Sequence, residues 1–378
     1  MANKVFETII IGAGISGLSC GRRLQQFDKD FLIISKDIGG RIRTSDDGLV
    51  NYGAFFVCSD YKNLLNFVKL NSRIRLHDFC FHNQDKTYFL FEPKLLIFLN
   101  QFMRFFKIQF KFRKALRKFR EVSETISQNK VIENDPFLKE LYIKKATDFV
   151  KENDISNLTN TYLSKGLYST TFSSINEMNA FSFLQFLLPL ITPIYKFTFE
   201  KEKMIESFQN KIIIGCVNEI IFKNNMYQIK TDNKLFYSKK IVLATPITWS
   251  KNFVNIKRTN TPVNTNMLHI AGKAQKKFSK GKYQLFSPFN EVQAIANLNN
   301  STYLTYYRNE FPTLKRYFSD YKIISEHFWN PAGTINGHNL IESNRGNNMY
   351  LIGDYNVAGL EEAFITGIYA ANQIIQSD

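Results

Sequence analysis

A mixed α/β fold is predicted by three features of the sequence. The chain opens as strand, helix and strand around a glycine-rich turn, and residues 60–205 are patterned mainly as helix. From Lys211 onward the pattern shortens to strand alternation, closing with a strand, a loop and a helix. A length of 378 residues, 44% hydrophobic and 15% aromatic, supplies core for two interleaved domains.

Element by element, Val5–Ile11 reads as a buried strand, Ile15–Gln26 as a helix and Phe31–Ser35 as the second strand of a βαβ unit. Residues 60–205 repeat apolar side chains every three or four positions, with little strand signal. Lys211–Ala244 alternates in short runs punctuated by Asn224-Asn225 and Asp232-Asn233, the turn chemistry of consecutive hairpins, and ends in Ile241–Pro246. Further strands are expected at Met267–Ala274, Gln284–Ser287, Val292–Ala296 and Tyr303–Tyr307, and the last helix begins near Leu360.

Lys and Arg number 49 against 33 Asp and Glu, a formal charge of +16 that draws anionic partners of any class. The excess is concentrated: Gln101 to Arg120 holds eight basic residues, six phenylalanines and no acid. Cys20, Cys58, Cys80 and Cys216 form no CxxC pair, so neither a disulfide framework nor a metal site is expected, and the chain reads as cytoplasmic. Val5–Ile11 is too short for a signal-peptide core and leads into glycines, not a cleavage site. No run reaches the roughly 18 apolar residues of a membrane span. The nearest, Phe181–Tyr195, contains Gln185, Pro189 and Pro193.

In Gly12-Ala13-Gly14-Ile15-Ser16-Gly17 the first glycine permits the tight turn, the second admits a pyrophosphate close to the backbone, and the third lets helix pack on strand. The helix N-terminus then offers free N–H groups and a positive dipole end to the phosphates. Strand before and helix after, the motif predicts a dinucleotide site. The acid expected about 20 residues on, for the ribose hydroxyls, is missing from the strand end Ser35-Lys36-Asp37. Ser35 can bond a ribose hydroxyl singly, and Lys36 equally suits the extra phosphate of NADP, so the turn alone leaves the cofactor open.

Ile38-Gly39-Gly40-Arg41-Ile42-Arg43-Thr44, followed by Asn51-Tyr52-Gly53-Ala54-Phe55, resembles the second fingerprint of the flavin amine oxidoreductase superfamily, which includes monoamine oxidases, protoporphyrinogen oxidase, phytoene desaturases and renalase-like proteins. Paired glycines let backbone approach a cofactor while the guanidinium faces its phosphates. The ending Leu351-Ile352-Gly353-Asp354 is similar to the same superfamily, where the carboxylate accepts a hydrogen bond from the flavin's ribityl chain. Gly359-Leu360-Glu361-Glu362-Ala363 resembles the start of its last helix, whose amides face the pyrimidine edge of the ring. The resemblance also places Val217 against the adenine and Ala244-Thr245-Pro246 beside the cofactor. It implies a Rossmann-like domain holding FAD, and, with no cysteine after Cys216, non-covalent attachment.

The same resemblance directs the search for catalytic groups. Amine oxidases of the superfamily carry a lysine on a strand after the AxP segment; here His269 falls nearest that position, and Lys273 lies on the same strand face. A lone strand histidine is more often a satisfied structural residue. Trp329 and Tyr355 are the candidates for the aromatic pair that sandwiches an amine, although the cage motif itself is not recognisable. On a helical wheel Phe105, Ile108, Phe112, Leu116 and Phe119 form one stripe, with Arg104, Lys107, Lys111, Lys114 and Lys118 beside it. That pattern suits either packing on the domain with solvated cations or docking on an anionic membrane surface, with Phe102, Phe106 and Phe110 available for insertion. Nucleic acid is not expected, since no binding module accompanies the charge.

The expectation is therefore a discontinuous FAD-binding domain (1–75, 205–260, 340–378) and an α+β substrate domain (76–204, 261–339). The expected activity is hydride abstraction from a small, hydrophobic substrate, in the manner of a desaturase or dehydrogenase, on a protein peripheral to the inner membrane face. Flavin amine oxidase, a flavin-binding protein without turnover and an NADP-binding reductase are the alternatives.

Overall fold

A computed structural model describes residues 4–83, 86–298 and 300–377. At its centre β1 (Val5–Gly14) runs parallel to β2 (Phe31–Gly39) on one side and to the strand Leu235–Leu243 on the other. Ile9, Ile10 and Ile11 are buried in succession, as strands covered on both faces require. Ile212–Ile214 extends the sheet past β2, and Met349–Leu351 joins Leu235–Leu243 in parallel. The hairpin strands Val217–Lys223 and Met226–Thr231 close the other edge, completing seven strands. Their turn residues Asn224 and Asn225 have φ of 52° and 57°, the left-handed pair that a two-residue turn demands. The helix α1 (Ile15–Gln26) follows β1 directly and packs on the C-terminal helix, Leu360–Gln376.

A second seven-stranded sheet runs in the order Phe318–Asn336, Thr261–Ala274, Thr302–Tyr307, Ala294–Asn297, Tyr283–Phe286, Phe79–Asn83, Lys86–Phe89. The sequence reading has no strand at Phe318–Asn336. As an edge strand with one face in water it carries Asp320, Lys322 and Glu326 among its apolar residues, which hides the alternation. A third sheet pairs Ile194–Phe199 with Val57–Cys58 and Val68–Ile74.

The helical expectation for residues 60–205 therefore needs correction. Helices occupy much of the stretch, but Val68–Ile74, Phe79–Asn83, Lys86–Phe89 and Ile194–Phe199 are strands. Phe79–Asn83 pairs with Tyr283–Phe286, two hundred residues away, and such pairing leaves little local signal. Ile194–Phe199 also ties residues assigned to the substrate domain onto strands assigned to the cofactor domain.

The basic segment is a helix over Leu99–Val122. Phe105, Phe112, Leu116 and Phe119 are buried, and Phe112 and Phe119 pack edge-on against Phe181 at 5.2 and 6.0 Å between centroids. Phe102 is buried too, so it is not available for insertion; Phe110 is exposed, and so are Leu96, Ile97, Leu99 and Met103 beside it.

Candidate cofactor and substrate site

One cavity of about 940 Å³ runs from the end of β1 to the inner face of the second sheet. At its narrow end Gly12 has a φ of 104°, and a Cβ there would fall 2.6 Å from the Ala244 carbonyl oxygen. Gly14 is extended (φ −72°, ψ 177°), and a Cβ would meet nothing within 4 Å because it would point into the cavity. That open space is what a phosphate needs to approach the backbone. No side chain caps α1, so its first-turn N–H groups are free for an anion. Gly17 alone among the expected cofactor residues does not line the cavity: its Cβ would lie 1.9 Å from the Gly12 carbonyl oxygen, so it serves the packing of α1 on β1.

The structure brings the others to this one cleft. Ile15, Ser16, Ser35, Lys36, Gly39, Gly40, Arg41, Gly53, Ala54 and Phe55 line it from the N-terminal part. Val217, Ala244, Thr245, Pro246, Gly353, Asp354, Gly359, Leu360 and Ala363 line it from the later segments. Ser35 has a different task from the one expected, because its hydroxyl accepts from the Ala13 N–H (3.0 Å) and donates to the Asp37 carbonyl (2.7 Å). It fastens the glycine turn and has no proton left for a ribose. Asp37, which the sequence reading passed over, lines the cavity. β2 continues to Gly39 through a register shift, which carries this carboxylate to the rim, 20 residues after Gly17. That spacing matches the acid that follows a dinucleotide-binding glycine turn.

Arg41 and Asp354 hold each other across the cleft. The guanidinium donates at 2.6 and 2.8 Å to the two carboxylate oxygens and at 3.2 Å to the Ala332 carbonyl, while the Thr334 N–H donates to Asp354 at 3.1 Å. Burial alone would raise the Asp354 pKa, but the Arg41 charge and these hydrogen bonds bring it below the ordinary carboxylate value.

The far end of the cleft meets the N-terminus of the C-terminal helix. Gln185 lines it and donates to the Ala358 carbonyl at 2.6 Å, which leaves Gln185 Oε1 buried and without a partner. Behind Gly359, Glu362 Oε1 takes two donors from Arg120 at 2.9 and 2.7 Å, while Glu362 Oε2 is buried and unpartnered. An acceptor buried without a donor costs about 1–3 kcal/mol. A flavin pyrimidine, with an imide N–H and carbonyls that prefer helix amides, fits this end, as a pyrophosphate fits the glycine turn.

Of the four catalytic candidates only Trp329 lines the cavity, with its indole N–H buried and unpartnered. His269 lies behind the wall: its Nδ1 is 3.1 Å from the Tyr52 hydroxyl, which in turn accepts from Ser325 at 3.1 Å. Lys273 is exposed at the end of its strand, four residues and roughly 13 Å further along. Tyr355 is buried behind Gly353 and donates to the Thr245 carbonyl at 2.5 Å. Tyr52 is the wall residue that sequence reasoning missed; its ring lies between His269 and His327.

Residues 10–69 match the model of a NAD(P)-binding Rossmann-like domain. Over 66 residues, 16% of this chain, the sequence is 41% identical to a possible lysine-specific histone demethylase 1 of Drosophila melanogaster, and the match spans only 7% of that protein. In fold the chain is similar to a putrescine oxidase double mutant (TM-score 0.72, 10% identity, 98% of this chain and 99% of that one). It is also similar to the cyclohexylamine oxidase of Brevibacterium oxydans (TM-score 0.66, 14% identity, 99% of both chains). Over its whole length the chain is thus similar in fold to solved oxidases, and its opening matches a dinucleotide-binding Rossmann-like domain.

Proposed function

We propose that the protein is an FAD-dependent oxidoreductase that removes a hydride from a small, lipophilic substrate onto non-covalently held flavin. One observation carries the reading: a phosphate cradle, the Asp37 carboxylate and the orphaned Gln185 acceptor lie along one cleft that widens into a largely apolar chamber. When bound, the flavin accepts a hydride from a C–H bond and passes the electrons on to dioxygen or another acceptor. The chain positions and shields. Gly12–Ser16 would cradle the pyrophosphate, and Asp37 would accept from the ribose. Arg41 and Asp354 would hold the phosphates and the ribityl chain, and the first amides of the C-terminal helix would stabilise the negative charge that the reduced ring gathers. Phe79, Phe81, Tyr283 and Leu285 wall the chamber against water, with Trp329 and Tyr52 closing its inner side.

Among the described residues the carboxylates lining the cavity are Asp37 and Asp354, both at the cofactor end, so a protonated amine finds no counter-charge from them in the chamber. This favours a desaturase- or dehydrogenase-like reaction over amine oxidation. Protein purified without added cofactor is expected to be yellow, to release FAD on denaturation, and to be photoreduced and reoxidised. Colourless protein that binds NADPH overturns the proposal, and tightly held FAD that cannot be reduced and reoxidised supports a flavin-binding protein without turnover.

We also infer that the basic helix docks on an anionic membrane surface at the inner face. Lys107, Lys111, Lys114 and Lys118 are exposed beside the apolar edge Leu96, Ile97, Leu99, Met103 and Phe110, the pairing that interfacial binding uses. Arg104 is held by Asp154, and Arg113 and Arg120 by Asp60. Among the described residues no helix is long and apolar enough to cross a membrane.

A further inference from the structure

We infer that the substrate is an amphiphile with an anionic headgroup, which Arg73 and Arg75 hold at the cavity mouth while the apolar body enters the chamber. The inference deepens the oxidoreductase reading and rests on it for the reaction. A second hollow of about 510 Å³ adjoins the chamber, and Ile74, Leu76, Pro189, Leu190 and Ile194 line both. The outer part of that hollow carries Arg73, Arg75 and His77, with the exposed ring of Phe91 beside them.

Arg73 and Arg75 are two residues apart on extended backbone, so their side chains leave on the same side. Both are exposed, and neither guanidinium has a carboxylate partner among the described residues. Described acids on the flanking segments are directed elsewhere: Asp78 lies 3.7 Å from His77 Nε2, Asp60 faces Arg113 and Arg120, and Glu92 accepts the Phe89 N–H at 2.7 Å. Inward of the two arginines the wall begins with the apolar Ile74, Leu76, Leu190 and Ile194; Ser169, Thr170 and Thr171 add only neutral hydroxyls, and the carboxylates among the described lining residues, Asp37 and Asp354, stand at the cofactor end. An ammonium would therefore meet cations at the entrance and no counter-charge within. A carboxylate or phosphate meets forked N–H donors suited to its oxygens, and the low-dielectric walls concentrate the positive field at the opening.

The test is titration of the protein as purified with dodecanoate, its methyl ester and dodecylamine, each below its micelle concentration, followed by calorimetry. Dodecanoate is expected to bind roughly tenfold more tightly than the ester, as one charge-assisted contact implies. Dodecylamine is expected to bind least, and added salt should narrow the gap. R73Q/R75Q should bring acid and ester to the same affinity while leaving the ester unchanged. Ala296→Phe, which fills the chamber, should weaken both. Leu96→Ser with Met103→Ser, on the exposed edge, should weaken neither. An unchanged acid-to-ester ratio in R73Q/R75Q, or tighter binding of the amine, overturns the inference. Colourless protein that keeps the acid preference refutes the flavin reading and not this one; yellow protein without the preference does the reverse.

Discussion

Replacing Asp354 with alanine removes the carboxylate that the Arg41 guanidinium grips across the cofactor cleft. Breaking a fully buried pair from one side costs about 3–5 kcal/mol, and an exposed pair contributes about 0–1 kcal/mol. Here the Asp354 side chain is 10% exposed and that of Arg41 is 34% exposed, so water recovers part of the loss. The Thr334 N–H also loses its acceptor. For the cofactor-free protein the expected cost is about 2–3 kcal/mol. Asp354→Asn, which keeps the Thr334 contact and one neutral bond to Arg41, should cost about half as much. FAD affinity should fall roughly ten- to a hundredfold, the loss of one charge-assisted hydrogen bond of about 1.5–3 kcal/mol. Urea unfolding of cofactor-free protein and fluorescence titration with FAD measure the two effects separately. Because the folded carboxylate titrates below its ordinary value, the pair's contribution is present above the unfolded pKa of about 3.9 and is lost as pH falls through the folded one. The gap between wild type and Asp354→Ala should thus hold across neutral pH and close in acid. An unfolding midpoint and an FAD affinity that both match wild type would refute the reasoning.

Gly14→Val should abolish FAD binding yet leave the cofactor-free protein as stable as wild type, since its side chain would occupy only the phosphate space; Gly17→Ala should instead destabilise the fold itself. Thermal melts with and without FAD distinguish these outcomes. Burial lowers the pKa of His82 and of His269, so the stability tied to their neutral forms is present above about 6.5 and is lost as pH falls through their folded values. The wild-type melting temperature should drop from neutral toward mildly acid pH, and replacing both with glutamine should flatten the slope; a flat wild-type profile counts against this. Neutralising Lys107, Lys111, Lys114 and Lys118 should abolish salt-sensitive co-sedimentation with anionic vesicles, at about 1 kcal/mol per cation, without altering the flavin spectrum. Equal wild-type binding to neutral vesicles would instead assign the contact to the apolar edge.

The cofactor end was legible in the sequence because its determinants are local. A turn that needs a positive φ at Gly12, open space at Gly14 and close packing at Gly17 accepts glycine at each, and those requirements lie within six consecutive residues. The same holds for Asn224-Asn225, whose turn sets the hairpin register. Asp37 was obscured by a register shift that lengthens β2. The chamber was not legible, because its wall is made by pairing Phe79–Asn83 with Tyr283–Phe286, and neither strand carries a record of its partner. Likewise His269 and Tyr355 had the chemistry expected of an active site, but only packing decided that Tyr52 and Gly353 stand between them and the cavity. Backbone geometry is dictated by neighbours in sequence and can be read there. Which side chains share a cavity depends on contacts between distant segments, and only the tertiary structure decides those.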